Sequence, residues 1–113
     1  MKRYCLALDL KSDENAIKEY DEYHRKVWPE IKDSLKESGI LDMEIYRVHN
    51  RLFMILKVVP DFSFEKKKTM DLNNPKVQEW ETLMSRFQQP LPWSAAGEKW
   101  MLMERVFKLE PEN

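Results

Sequence analysis

Asp42-Met-Glu-Ile-Tyr-Arg-Val48-His49-Asn50-Arg51-Leu52-Phe-Met-Ile-Leu-Lys-Val-Val59 holds two apolar runs, 42–48 and 52–59, on either side of a short polar link. Asn tolerates the positive φ that tight hairpins require, so the stretch reads as a β-hairpin centred on His49-Asn50. An antiparallel pair in mid-chain needs further strands, and the flanking sequence must supply them.

On the N-terminal side, residues 3–10 carry strong apolar side chains at even positions, which is strand periodicity. Ser12 or Asp13 then offers a capping oxygen, and Gly39 closes a helical pattern that runs over about 13–38. Pro29 lies inside it. It lacks the N–H that would bond back to the Arg25 carbonyl, so a kink is expected near His24 to Trp28. On the C-terminal side the pattern predicts a short helix over Phe64 to Met70 and a second over Pro75 to Phe87, with proline at a first-turn position. A loop over 88–97 with two prolines and Gly97 leads to a last strand over 100–109. The order βαββαβ specifies an α+β, ferredoxin-like fold, an antiparallel four-stranded sheet with its helices on one face.

The strands are apolar on both faces. Phe53, Ile55 and Val59 alternate with Leu52, Met54, Leu56 and Val58, and Met101, Met103 and Phe107 alternate with Trp100, Leu102 and Val106. One face takes the helices and leaves space for a pocket. The other needs cover, which a second copy supplies most economically, so a homodimer is expected.

With 113 residues the chain is read as a single domain, 1–113. Nineteen basic and twenty acidic residues leave a net charge of −1, and the basic residues are dispersed, so no nucleic-acid partner is implied. The one cysteine, Cys5, fits a reducing, cytoplasmic compartment. No apolar run reaches bilayer-spanning length and the first residues lack a long apolar core, so neither membrane insertion nor secretion is expected.

Chemistry concentrates in Tyr20-Asp-Glu-Tyr-His24-Arg-Lys-Val-Trp28-Pro29-Glu30, where Tyr20, His24 and Trp28 follow one another at one-turn spacing. An imidazole stands on an apolar helical stripe where Leu would otherwise serve. The pattern leaves two readings open, a satisfied core histidine and a general acid-base group. His49 reads as structural. No metal set converges on His24, Cys5 has no neighbouring base, and two glycines cannot build a phosphate loop, so neither metal nor nucleotide cofactor is expected. The four tryptophans are core residues or sugar-stacking platforms. Glu104 interrupts the last apolar run, as an edge charge or as a pocket carboxylate with a raised pKa.

The segments Tyr20-x-x-x-His24-x-x-x-Trp28-Pro29-Glu30, Gly39, Ile45-Tyr46, Gln78-x-Trp80 and Glu104-x-Val106-Phe107-x-Leu109 together resemble the L-rhamnose mutarotase family over nearly the whole chain. The resemblance implies a dimeric α/β barrel that interconverts the anomers of a 6-deoxyhexose without a cofactor, L-rhamnose first and L-fucose second. It also implies that His24 is the proton donor and that Tyr20 and Trp80 bind the sugar; as the acid of a ring opening, His24 is expected to act as an imidazolium. The chain carries Glu81 where rhamnose-specific members have a second tryptophan, and Met43 where they have a tyrosine. The same barrel type also suits a haem-binding protein or a cofactor-free monooxygenase, and a non-catalytic sugar-binding module is a further alternative.

Overall fold

The hairpin forms as expected. A computed structural model describes residues 2–110, and in it β2 (Ile40–Val48) and β3 (Arg51–Val58) pair antiparallel from Ile40↔Val58 to Val48↔Arg51. The positive φ of the turn falls on His49, at 49°, rather than on Asn50. Asn50 instead secures the neighbouring strand: its carbonyl accepts from the Leu10 N–H at 2.6 Å and its side-chain amide donates to the Leu10 carbonyl at 3.1 Å. That neighbour is β1 (Lys2–Leu10), which pairs with β3 from Lys2↔Val58 to Asp9↔Arg51.

The helical pattern over 13–38 resolves into two helices, α1 (Glu14–Arg25) and α2 (Pro29–Glu37), separated by Lys26, Val27 and Trp28. Asp13 caps α1 by accepting from the Asn15 N–H. The expected kink is thus a full break. A residue preceding proline is biased towards extended backbone, Trp28 adopts ψ 137°, and Pro29 starts a new helix where its missing N–H costs nothing. Helices α3 (Phe64–Leu72) and α4 (Pro75–Ser85) follow, capped by Ser63 and Asn74.

The closing strand differs most from expectation. Residues Gln88–Gln89 (β4), expected in a loop, pair with Asp9 and Leu10, and Met101–Leu102 (β5) pairs with Leu6 and Ala7. The sheet therefore has the order β2-β3-β1-β4 with β5 also on β1, so two short strands share the fourth position. The Met103 N–H still donates to the Cys5 carbonyl at 2.8 Å, and beyond it the backbone leaves the ladder.

The even positions of β1 and β3 face the helices. Leu8, Leu10, Leu52 and Val58 are fully buried there, and burying each contributes about 1.5–3 kcal/mol. Ile17 and Tyr20 of α1, Ile31 of α2, and Val77, Trp80 and Met84 of α4 close over this side. On the opposite sheet face Cys5, Ala7, Phe53 and Ile55 are half-buried, and Tyr46 and Val48 are exposed. Val106, Phe107 and Leu109 are also exposed, at 94, 74 and 79%.

Candidate active site

Because α1 ends at Arg25 and the chain turns before α2, the helices do not seal the sheet completely. A cavity of about 480 Å³ remains between them, within the range of small-molecule sites. Its floor is apolar sheet surface, Leu6, Met43, Ile45, Met54 and Leu56, with Leu35 of α2 beside it. The facing wall carries polar groups: Lys67, Lys68 and Asp71 on α3, Gln78 and Glu81 on α4, and Lys99.

Tyr20, His24 and Trp80, singled out from the sequence, all line this cavity. The His24 Nδ1–H donates to the Tyr20 backbone carbonyl at 2.9 Å. A carbonyl can only accept, so Nδ1 holds the proton and Nε2 of the neutral ring carries the lone pair. The imidazole stacks on the Tyr20 ring at 4.1 Å and meets Trp80 edge-on at 5.6 Å, and Trp28 in turn packs on Trp80 at 5.0 Å. Burial lowers the His24 pKa, against smaller opposing effects of the Tyr20 carbonyl and the Asp21 charge. The direction of that shift favours the neutral imidazole over the imidazolium.

Tyr20 is 3% exposed, and burial pushes its hydroxyl well above the ordinary tyrosine value, so it remains a phenol. The Gln88 side chain beside it offsets part of that shift, and Asp21 adds to it. Asp21 is itself gripped by Arg47 of β2 through two contacts, at 2.6 and 3.0 Å, which ties α1 to the sheet one turn below His24.

Among the described residues, Gln88 Oε1 is buried without a hydrogen-bond partner. Gln88 also lines the cavity, and sequence reasoning missed it because its segment reads as a loop with no apolar period. Met43 and Glu81 both lie on the cavity wall. Glu104 is exposed in the segment after β5 and lies outside the lining of this cavity. His49 occupies the exposed hairpin turn, Trp93 is 67% exposed, and Trp100 lines the cavity. No helix of the described residues is long and apolar enough to cross a membrane.

The chain is 44% identical over 111 residues to the L-fucose mutarotase of Xanthomonas campestris, covering 96% of this chain and 89% of that protein. The crystal structure of L-rhamnose mutarotase from Formosa agariphila superimposes with a TM-score of 0.71 at 26% identity, covering 97% of this chain and all of the other. A dimeric ferredoxin-like protein from an uncultured marine organism shares the fold, with a TM-score of 0.61 at 14% identity over 96% of this chain and 98% of its own. Residues 3–109 match the family model described as L-rhamnose mutarotase, and with the fold and the two mutarotase relatives this makes the chain a member of the L-rhamnose mutarotase family.

Proposed function

We propose that this protein is a cofactor-independent mutarotase, an isomerase of the aldose 1-epimerase type, acting on a 6-deoxyhexose. The 44% relative named for L-fucose puts that sugar ahead of L-rhamnose as substrate. The observation that carries the reading is the His24 ring on the cavity wall, its Nδ1 spent on the Tyr20 carbonyl and its Nε2 left for chemistry, with burial favouring the neutral form. The cavity's division into an apolar floor and a polar wall suits a sugar that has a methyl group on one side and hydroxyls on the other.

The reaction needs only a proton relocated between two oxygens. His24 Nε2 takes the proton of the anomeric hydroxyl, the electron pair on that oxygen forms the aldehyde C=O, and the bond from the anomeric carbon to the ring oxygen breaks. The ring oxygen keeps that bond's pair and receives the proton back from the imidazolium. Both oxygens sit on the same carbon, so one nitrogen serves each in turn. The open aldehyde rotates about its bond to the next carbon and closes by the reverse steps. Tyr20, held as a phenol, donates a hydrogen bond to a sugar oxygen, and Trp80 supplies a flat wall. One positioned acid-base group supplies about 10²- to 10⁴-fold acceleration.

The protein acts as a homodimer in this account. The half-buried residues of the outer sheet face and the exposed Val106, Phe107 and Leu109 form the surface that a second copy covers. Its lone half-buried thiol, Cys5, suits a cytoplasmic location.

Polarimetry tests the activity. Freshly dissolved single anomers of L-fucose and L-rhamnose should reach equilibrium rotation faster with catalytic amounts of protein than without. An unchanged relaxation for both sugars overturns the assignment, and sugar binding without acceleration would make the chain a sugar-binding module instead.

A further inference from the structure

On the polar wall of the cavity the Glu81 carboxylate keeps most of its accepting capacity. On α4, Gln78 and Glu81 stand one turn apart with Trp80 between them in sequence. The Gln78 side-chain nitrogen donates to the Asp71 carbonyl at 2.8 Å and to Glu81 Oε2 at 3.2 Å. Both of its N–H bonds are thereby used, so Gln78 holds the Glu81 carboxylate rather than offering a donor to a ligand. Asp71, the other acid on this wall, is different: Lys67 Nζ bonds its carboxylate at 2.6 Å. Lys99 Nζ donates to the Ser85 hydroxyl and lies 3.5 Å from the Glu81 backbone carbonyl, so it braces α4 and leaves the carboxylate alone. A carboxylate has about four lone-pair positions, and Gln78 occupies one.

Resting on the mutarotase reading, the geometry points to Glu81 as the specificity-determining residue of this site, accepting hydrogen bonds from a pair of vicinal sugar hydroxyls while His24 faces the anomeric centre. The sugar's methyl group then rests on the apolar floor of Met43, Ile45 and Leu56. This arrangement fixes which hydroxyls must point at α4. A sugar with the wrong configuration there leaves the carboxylate desolvated and unpaired, which a site built around hydrogen bonds penalises strongly.

The test uses Glu81→Ala and Glu81→Gln, with dissociation constants from calorimetry and KM and kcat from anomer exchange, for L-fucose, L-rhamnose and monodeoxy analogues of the tighter-binding sugar. Loss of a hydrogen-bonded charge predicts weaker binding and a higher KM of the preferred sugar by about tenfold to a hundredfold in Glu81→Ala, with kcat within a few-fold. The preference between the two sugars should collapse. Two analogues, lacking adjacent hydroxyls, should each bind the unmutated protein worse than the parent sugar but bind Glu81→Ala as well as the parent does, which identifies the pair. A merely structural Glu81 would lower thermal stability and leave the sugar ratio untouched, and that result overturns the inference. Should Glu81→Ala fold poorly, Glu81→Gln retains an acceptor for Gln78 and must show the same loss of preference in smaller measure. Binding that depends on Glu81 without any exchange supports the inference and sinks the mutarotase reading; exchange with an unchanged ratio does the reverse.

Discussion

His24→Asn separates the two jobs of the imidazole. An asparagine amide reaches about as far as the Nδ1 edge of the ring, so it can still donate to the Tyr20 carbonyl that now accepts at 2.9 Å. It has nothing in place of Nε2. If Nε2 moves the proton, the variant should lose about 10²- to 10⁴-fold in catalysed exchange, or about 3–5 kcal/mol of barrier lowering. Its stability should fall much less. The ring contacts with Tyr20 at 4.1 Å and Trp80 at 5.6 Å are lost, each worth about 0.5–1.5 kcal/mol. For a chain of 113 residues this corresponds to a melting temperature lower by about 4–13 °C. The assay is exchange between α and β anomers at 25 °C, where both proteins are folded, alongside a thermal melt by circular dichroism. A variant that stays within about fivefold of the parent in exchange while remaining folded would refute the assignment of proton transfer to His24.

Acid should affect activity and stability through the same ring. Because burial depresses the folded-state pKa of His24 below 6.5, its stabilising contribution is present above pH 6.5 and is lost as pH falls through that lower value. Anomer exchange should follow the same acid limb, and the pH-dependent part of stability assigned to this ring should vanish in His24→Asn; an activity maximum on the acid side of that limb would contradict a neutral resting ring. Gly39→Ala places a Cβ 2.9 Å from Val59 Cγ2 at a residue with φ +97°. Strain and crowding should cost about 1–3 kcal/mol, read as a lower melting temperature with exchange intact, and an unchanged melt would refute the conformational argument. Phe107→Asp adds a charge to a side chain that is 74% exposed in a single copy. It should leave the fold intact and shift sedimentation from dimer to monomer, whereas a monomeric parent or an unaffected dimer would remove the second copy from the account.

The strands and α3 and α4 were readable because their information is local. Alternation over 3–10 and 52–59 specifies which side chains face the helices, and Asn74-Pro75 marks a helix start with both a cap and a proline at N1. Pro29 was ambiguous for a physical reason: the same residue kinks a continuing helix or begins a new one, and only the extended Trp28 decides. The final strand was overread because apolar residues over 100–109 satisfy strand periodicity whether they pair within one chain or cover a neighbour. In the site, the one-turn spacing of Tyr20 and His24 was legible, and Trp80 came from resemblance. Gln88 carried no signal, since its place beside Tyr20 arises from β4 pairing with the end of β1. The tautomer of His24 was equally hidden, because it depends on a backbone carbonyl that every sequence has.

Magnetisation transfer between the α and β anomeric proton signals of L-fucose, with L-rhamnose in parallel, measures ring opening and closing at equilibrium with no coupling enzyme. The account predicts exchange that rises in proportion to the concentration of unmutated protein near neutral pH and returns to the buffer rate with His24→Asn. Exchange at the buffer rate for both sugars with folded, unmutated protein would contradict it.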